Sequence, residues 1–272
     1  MSRRMRVFGA VVFFVLAASG EEFRFARVSR DVIEDRLHRA PDKNSGRQAA
    51  LKTLFAEAGC TESMLSEQKV RGTREPNVLC SSPGETASTI VAGAHFDFAD
   101  AGKGVVDNWS GASLLASLLQ GLRTAPRRHT FVFIGFAGEE KGLLGSRSYV
   151  KHLSAEDKSR IRAMVNMDTL GLTPTKVWVN GSDKMLTSLL AAVAQGMKAP
   201  LGVVNVERTA TADSQSFAEK KIPAITIHSV TQETFRILHS PRDTAAAINM
   251  DDYFETYQLL AAYLTYLDTA LD

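Results

Sequence analysis

The sequence predicts an α/β fold: a three-layer sandwich in which a mixed, mostly parallel sheet has helices on both faces. Short apolar runs, typical of strands buried on both faces, alternate along the chain with segments whose apolar residues recur every three or four positions. Strands that alternate with helices form mostly parallel sheets covered by helices. No internal repeat or low-complexity tract is present, which excludes a solenoid.

The first half of the chain supplies two helical segments and then strands. Residues 28–59 have a helical pattern that is divided by a turn at 41–46. Candidate strands follow at 68–70, 77–80 and 89–94, and a long apolar helix at 108–123.

The clearest strand is 131–136, where every residue is apolar or Gly. A helix is expected next, at 142–152. The remaining strands are expected at 161–167, 176–179 and 223–227, and the remaining helices at 184–197, 213–220 and 251–269. Since no stretch has the composition of a linker, we expect residues 21–272 to form a single domain.

The first twenty residues have the pattern of an export signal. Three arginines precede an apolar run at 7–18, and small residues at 18–20 form a cleavage site. The run is too short to span a bilayer comfortably. We therefore expect residues 1–20 to be a signal peptide, and the mature protein to be periplasmic or secreted. An uncleaved anchor and a buried N-terminal helix are the alternatives.

The mature chain is close to neutral. Three of the 32 basic side chains lie in residues 1–20, so that 29 remain against 30 acidic ones and the net charge is −1. This balance gives no reason to expect nucleic acid as a partner, or a membrane surface once the signal has been removed.

The two cysteines, Cys60 and Cys80, can pair as a disulfide in an oxidising compartment or remain as buried thiols. Two cysteines are too few for a zinc site of the ribbon or finger type.

Acidic and imidazole side chains follow the predicted strands. Glu139 and Glu140 come just after the strand at 131–136, and the ends of parallel strands share one edge of a sheet, where ligands bind. The other motifs with such side chains are His95-Phe-Asp97, Asp107-Asn-Trp-Ser-Gly111, Asn166-Met-Asp168 and His239-Ser-Pro-Arg-Asp243. We therefore expect these carboxylates to lie close together.

Clustered carboxylates require a counter-charge. Two like charges about 4 Å apart repel by about 4 kcal/mol at an effective dielectric constant of about 20. Divalent cations would remove this repulsion, and His95 and His239 favour zinc or a similar ion over Ca²⁺ or Mg²⁺. Each motif alone has an ordinary interpretation, such as a helix cap or a solvated helix start, but together they predict a two-metal site.

The motifs GAHFD (93–97), DNWSG (107–111), FAGEEKGLLGS (136–146), NMD (166–168) and HSPRD (239–243) resemble those of the di-zinc aminopeptidase family, in that family's order. This family includes secreted bacterial leucyl aminopeptidases and plasma glutamate carboxypeptidase, and the glutaminyl cyclases are a related one-zinc branch. The resemblance covers about residues 45 to 265. It implies a zinc-exopeptidase-like fold and a zinc-dependent aminopeptidase that hydrolyses peptides with a free N-terminus.

The resemblance also implies a set of metal ligands. Asp107 would bridge two Zn²⁺ ions. Glu140 and His239 would complete the coordination of one ion, and His95 and Asp168 that of the other.

Two further roles follow from the resemblance. Glu139 matches the general base, which takes a proton from the metal-bound water, so that a hydroxide bridges the metals, and later returns the proton to the departing amine. Asp97 matches the acid that orients the imidazole of His95, so that it belongs with the catalytic residues. Relatives also have a cis peptide bond at the position of Asp107-Asn108, and we expect one here.

Two alternative functions remain open. One is a glutaminyl cyclase-like acyltransferase, although Asp168 and the DNxSG run favour two metals over one. The other is a non-catalytic binding domain of the same fold, although this chain retains all five ligands and Glu139.

Three residues raise questions that the sequence leaves open. Ser214 stands where relatives often have His, and Trp109 stands where they often have a small residue. Trp109 is expected either to narrow the pocket or to pack beneath it. His228 is a spare imidazole at the end of a strand, which we expect to lie in the core or at the rim.

Overall fold

The computed structural model describes residues 14–15, 22–99, 101–205 and 211–272. Strands β1 (Phe14–Val15) and β2 (Glu22–Phe23) form a short antiparallel pair. Apart from residues 14–15, the predicted signal peptide lies outside the described residues and stays a prediction. Within the described part of the chain, no helix combines the length and the apolar character needed to cross a membrane.

The main sheet has eight strands, in the order β3-β4-β6-β5-β7-β10-β8-β9. These are β3 (Leu65–Gln68), β4 (Asn77–Ser82), β5 (Thr89–His95), β6 (Thr130–Phe136), β7 (Ile161–Met167), β8 (Lys176–Val177), β9 (Gly202–Val203) and β10 (Ala224–His228). The central strands β6, β5, β7 and β10 are parallel to one another, whereas β3, β4 and β8 join the sheet through antiparallel pairs. The predicted mixed, mostly parallel sheet is therefore confirmed.

Different helices cover the two faces of this sheet. The helices are α1 (Arg30–His38), α2 (Asn44–Glu57), α3 (Ser110–Leu122), α4 (Leu144–His152), α5 (Ala155–Arg160), α6 (Lys184–Met197), α7 (Ser214–Ala218) and α8 (Met250–Ala270). Side chains of α1, α2, α3, α6 and α8 share one apolar cluster with Ala92 of β5, while α4 and α7 pack with its neighbour Val91 on the opposite face. Because successive residues of a strand face opposite sides, this alternation creates the predicted three layers.

Helix α3 lies at the centre of the molecule. Twelve of its thirteen residues are buried, and it contacts α1, α2, α8 and the sheet. A helix that is apolar on all sides belongs in a core. Its position matters for the site, because the irregular turn Val105–Trp109 leads directly into its first residue.

The first strand of the main sheet was predicted at the wrong residues. It covers Leu65–Gln68 instead of 68–70, and it pairs antiparallel with β4 so that Leu65 lies opposite Cys80. Its central side chains, Ser66 and Glu67, are exposed at the sheet edge. An edge strand with a polar exposed face lacks the apolar run on which the prediction relied.

Two short elements were missed. Helix α5 begins after Ser154, whose hydroxyl accepts a hydrogen bond from the main-chain N–H of Asp157 at 2.9 Å. This cap is visible in the sequence, but none of the helix's residues is buried, so no apolar stripe marks it. Strand β9 has only two residues.

Cys60 and Cys80 form a disulfide, which answers the question that the sequence left open. Cys60 follows α2 and Cys80 lies in β4, and both are buried. The bond therefore links the chain just after α2 to β4, a strand that is antiparallel to both of its neighbours.

Reduction of this disulfide is expected to lower the free energy of unfolding by about 3 kcal/mol, because the bond closes a loop of 20 residues in the unfolded chain. Denaturant unfolding with and without reductant measures the change. The Cys60→Ala/Cys80→Ala double variant is the control, and reductant should leave its midpoint unchanged. An unchanged wild-type midpoint, with both thiols shown to be free, would contradict the prediction.

Candidate active site

The predicted site residues lie at the carboxyl ends of the central parallel strands. His95 is the last residue of β5, Asp168 follows β7 directly, and Glu140 lies in the turn after β6. Asp107 comes from the turn before α3, and His239 from the loop after β10. The topology thus brings side chains that are distant in the sequence to one edge of the sheet, where ligands of open α/β sheets bind.

These five side chains form two triads that share Asp107. In the first triad, Nε2 of His95 lies 3.2 Å from Oδ1 of Asp107 and 3.4 Å from Oδ1 of Asp168. In the second, Nε2 of His239 lies 3.2 Å from Oδ2 of Asp107 and 3.1 Å from Oε2 of Glu140. Each carboxylate oxygen of Asp107 therefore faces a different imidazole.

The two triads fit a pair of zinc ions. Ligands at ordinary zinc distances on a tetrahedron are about 3.3 Å from one another. The imidazole-to-carboxylate distances in both triads are 3.1 to 3.4 Å. The donors, imidazole nitrogen and carboxylate oxygen, are also those that zinc accepts.

The electrostatics of the triads indicate cation sites. Burial alone would raise the pKa of Asp107, but the hydrogen bonds and charges of His239 and His95 outweigh burial and lower it. The hydrogen bond to Asp107 is the main reason why the pKa of His239 rises to about 9. The imidazoles therefore hold protons between the acids, and a bound metal would take the place of those protons.

Glu139 lies in the same cleft but in neither triad. Burial raises its pKa to about 10; the charge of His95 lowers it, and the acids Asp213, Asp168 and Asp107 raise it further. Cations bound in the triads would lower this pKa again, because an opposite charge favours the ionised carboxylate. A carboxyl group whose pKa depends on the neighbouring cations is suited to accept and return a proton.

Asp97 binds the main chain of the turn that carries the two glutamates. Its Oδ1 accepts the N–H groups of Gly138 at 2.9 Å and Glu139 at 3.1 Å, and its Oδ2 accepts that of Glu140 at 3.3 Å. Its carboxylate is 3.8 Å from Nδ1 of His95, whereas the main-chain carbonyl of Asp97 accepts a hydrogen bond from that nitrogen at 3.0 Å. The imidazole is thus oriented through the main chain of Asp97, which leaves its Nε2 facing the triad.

Asn108 is a positioning residue that the sequence reasoning missed. Its Nδ2 donates to the carbonyl of Met167 at 2.9 Å, and its Oδ1 accepts the N–H groups of Gly111 at 3.0 Å and Thr169 at 3.1 Å. The Asn108 side chain therefore joins the start of α3 to the end of β7. The predicted cis peptide bond between Asp107 and Asn108 is present.

Gly111 is required by this junction. A Cβ at this position would lie 2.7 Å from both Oδ1 of Asn108 and the carbonyl oxygen of Met167. Neither of these atoms can move without breaking the hydrogen bonds of Asn108. The Gly of the DNWSG motif is therefore explained by close packing rather than by a special backbone conformation.

Asn77 fixes both ends of the turn after β6. Its Oδ1 accepts the N–H of Ala137 at 2.9 Å, and its Nδ2 donates to the carbonyl of Gly145 and to Oε1 of Gln68, each at 2.9 Å. Asn77 is fully buried, so these hydrogen bonds do not compete with water. Sequence reasoning missed this residue as well, because an Asn within a strand gives no distinctive signal.

A cleft of about 600 Å³ opens beside the triads, which is the size of a small-molecule site. Besides the acids and imidazoles of the triads, its lining contains apolar and aromatic side chains, three threonines, His228 and the charged Arg236; the apolar and aromatic ones are Trp178, Ala212, Val230, Phe235 and Leu238. Ser214 does not face this cleft as an open polar group, because its Oγ lies 2.6 Å from Oγ1 of Thr226.

His228 is part of the cleft wall and cannot act as a spare ligand in this arrangement. Its Nε2 donates to the carbonyl of Val204 at 3.0 Å, and its Nδ1 accepts the N–H of Val230 at 3.2 Å. Burial lowers the pKa of His228 to about 4, so the ring is uncharged at neutral pH. The expectation that His228 belongs to the core or rim is confirmed.

Trp109 packs beneath the site and does not narrow the cleft. It is fully buried, and its Nε1 donates to the carbonyl of Arg36 at 3.0 Å. Its ring also faces the guanidinium of Arg47, with 5.6 Å between the guanidinium carbon and the ring centroid.

A mixed α/β sheet that carries two acid–imidazole triads at its edge is the arrangement of a metallohydrolase. A sequence model of peptidase family M28 matches residues 77–264, which is more than half of the chain. This chain belongs to peptidase family M28. The predicted family resemblance is therefore confirmed, and so is the hydrolase class at the level of the family.

Solved structures share this fold. The LapA aminopeptidase of Legionella pneumophila has a TM-score of 0.78 at 23% identity, over 90% of this chain and 73% of that chain. BSAP, a zinc aminopeptidase from Bacillus subtilis, has a TM-score of 0.65 at 23% identity, over 73% of this chain and 50% of that one. A glutaminyl cyclase from an Acidobacteriales bacterium has a TM-score of 0.75 at 16% identity, over 99% of this chain and 100% of that one. At these identities the likeness concerns the fold.

Sequence relatives include proteins that are named as aminopeptidases. Aminopeptidase YwaD of Bacillus subtilis is 27% identical over 143 residues, which are 53% of this chain and 28% of the relative. Leupeptin-inactivating enzyme 1 of Streptomyces exfoliatus is 30% identical over 151 residues, which are 54% of this chain and 34% of the relative. The matched part is thus about a third of the length of these relatives.

The protein is expected to lose up to about 3 kcal/mol of stability through His228 as the pH falls from 6.5 to about 4. In this range the imidazole takes up a proton in the unfolded chain but not in the folded protein, so acid favours unfolding. Denaturant unfolding across this pH range measures the loss. The His228→Gln variant, which keeps a donor for Val204, should lack this part of the pH dependence. Equal acid-induced losses in both proteins would contradict the assignment.

Proposed function

We propose that this protein is a zinc-dependent aminopeptidase that removes N-terminal residues from peptides. The observation that carries the proposal is that Asp107 presents one oxygen to each of two acid–imidazole triads. Membership of peptidase family M28, and relatives named as aminopeptidases, support it.

The two triads would hold one zinc ion each. His95, Asp168 and Asp107 would bind the first ion, and Glu140, His239 and Asp107 the second. Bound there, the ions would lower the pKa of a water molecule and polarise the carbonyl group of the scissile bond.

Glu139 would serve as the general base. It lies in the cleft beside the triads without belonging to either, so its carboxylate remains available for a proton. It would accept the proton of the attacking water and return it to the departing amine. Asp97 would hold Glu139 and Glu140 in place through their main-chain N–H groups.

The cleft walls support a preference for large apolar N-terminal residues. Trp178, Phe235 and Leu238 offer aromatic and aliphatic contacts, and His228 beside them is uncharged. A cationic side chain placed against this wall would lose its water and would lie near Arg236, which also lines the cleft, so that its burial is unfavourable. An apolar side chain would gain free energy from the area that it buries.

We also propose that residues 1–20 are a cleaved signal peptide, that residues 21–272 form one domain, and that the mature protein is periplasmic or secreted. The disulfide between Cys60 and Cys80 supports an oxidising compartment, because such bonds are rare in the cytosol. The pattern of residues 1–20 supports export independently.

A glutaminyl cyclase-like acyltransferase is the second candidate. One observation favours it: the fold of the Acidobacteriales cyclase matches nearly the whole length of both chains. Asp168, which completes the first triad, favours two metals and therefore the aminopeptidase.

Leucyl and phenylalanyl arylamides should be cleaved faster than lysyl arylamides, because the cleft offers Trp178, Phe235 and Leu238 for apolar contact and Arg236 as a like charge to lysine. A chelator should abolish this cleavage, and added zinc should restore it. Peptides with N-terminal Gln form the comparison arm. Release of ammonia from these peptides, with all arylamides left intact, would contradict the aminopeptidase proposal and favour the cyclase.

The Glu139→Gln variant should keep two equivalents of zinc and lose turnover by about 100- to 10,000-fold, since an amide cannot accept the proton of the attacking water. Elemental analysis and arylamide kinetics measure the two effects. Glu219→Gln is the control, because Glu219 is exposed at the end of α7 and belongs neither to a triad nor to the cleft lining, and its kcat should be unchanged. Loss of zinc from Glu139→Gln would show that Glu139 is a ligand instead.

A further inference from the structure

Asp243, the last residue of the HSPRD motif, belongs to neither triad but binds the main chain beside one of their members. Its side chain is buried, with 1% of the residue exposed. Its Oδ1 accepts the N–H of Val106 at 2.7 Å, and its Oδ2 accepts the N–H of Asp107 at 3.2 Å. A buried carboxylate therefore holds the segment that presents Asp107 to both imidazoles.

The main chain of Asp243 adds a further connection. Its carbonyl accepts the N–H of Lys103 at 2.9 Å, and its own N–H donates to the carbonyl of Ser240 at 3.0 Å. Asp243 thus bonds to the segment before Asp107 through its carbonyl and its side chain. Its N–H bonds at the same time to the loop that begins at His239.

His239 needs this support more than the other imidazole does. The His239 side chain is 56% exposed, so little packing fixes it, whereas that of His95 is 2% exposed at the end of a central strand. His239 also has a φ of 51°, in the left-handed region that a non-glycine residue adopts only when its surroundings impose it. The position of His239 therefore depends on the path of its loop.

Arg47 supplies a buried positive charge near the hydrogen bonds by which Asp243 joins the two loops. It is fully buried, and its guanidinium donates to the carbonyls of Phe96 at 3.0 Å and Lys103 at 2.5 Å. Its guanidinium carbon lies 4.2 Å from the ring centroid of Phe98. Burial lowers the pKa of Arg47 to about 10, and the negative charge of Asp243 opposes part of this shift. The guanidinium thus offsets part of the cost of burying the Asp243 carboxylate.

We propose that Asp243 is a positioning residue of the metal centre, which sets the distance between His239 and Asp107 by joining their two loops. This inference rests on the proposed function, since it presupposes zinc in the triads. The triad of Glu140 and His239 depends on the connection. The triad of His95 and Asp168 depends on it less, because those two ligands are fixed by the ends of β5 and β7.

The test compares two isosteric substitutions, Asp243→Asn and Asp268→Asn. Asp268 is the matched control: it is also buried, and its carboxylate also accepts two main-chain N–H groups, from Arg128 at 3.2 Å and His129 at 2.8 Å. It lies near the C-terminal end of α8 and not in the cleft. Each variant replaces one acceptor oxygen by an NH₂ group, so both should lose stability for the same reason.

Zinc titration in competition with a chromophoric chelator gives the main readout, and the zinc-induced rise in melting temperature gives the second. Wild type and Asp268→Asn should bind two zinc ions with the same two affinities. In Asp243→Asn, one binding step should weaken by about 10- to 100-fold and the other should weaken by a clearly smaller factor, because Asp107 is shared by both triads. Its zinc-induced rise in melting temperature should be smaller accordingly.

Equal zinc affinities in all three proteins, with equal losses of stability in the two variants, would overturn the inference and leave Asp243 a structural residue. Equal weakening of both steps would overturn it as well. A wild type that binds no zinc would instead overturn the proposed function. If Asp243→Asn does not fold, Asp243→Glu keeps both acceptor oxygens one methylene further out, and the same step should weaken by a smaller factor.

Discussion

The candidate site depends on one electrostatic arrangement, in which the carboxylate of Asp107 lies between two imidazoles. Three other acids meet at the same edge of the sheet, and without cations among them their mutual repulsion would oppose folding. Each oxygen of Asp107 instead faces an imidazole ring. The folded protein thus holds two imidazoles and three carboxylates in a geometry that suits divalent cations.

Around this centre, short polar side chains hold main-chain segments in place rather than other side chains. Asn77 and Asp97 bind the N–H and carbonyl groups of the turn after β6, Asn108 binds those at the start of α3, and Asp243 binds those before it. The N–H groups that they bind lie in irregular turns or in the first turn of a helix, where regular secondary structure provides no partner. The site is therefore preorganised by hydrogen bonds from side chain to backbone, which a loop without them would lack.

The sequence predicted the central strands because a strand that is buried on both faces is an apolar run. Several of the acids and histidines follow such strands, and the family resemblance implied which five of them would be ligands. Strand β3 lacks such an apolar run because its outer face is polar. The roles of Asn77, Asn108 and Asp243 could not be predicted, because they depend on which main-chain groups the tertiary fold leaves unpaired. The same holds for Trp109, whose burial only the packing of α1 and α3 decides.

Asn77 also joins two regions that differ in exposure. It lies in β4, and its amide reaches outward to Gln68 at the border of the sheet and inward to the turn that carries Glu139. A substitution in the edge strand β3 can therefore affect the turn that carries Glu139 through the side-chain amide of Asn77, which does not line the cleft. A substitution of Gln68 at the sheet edge would then change the rate of the reaction without any change in the residues that line the cleft.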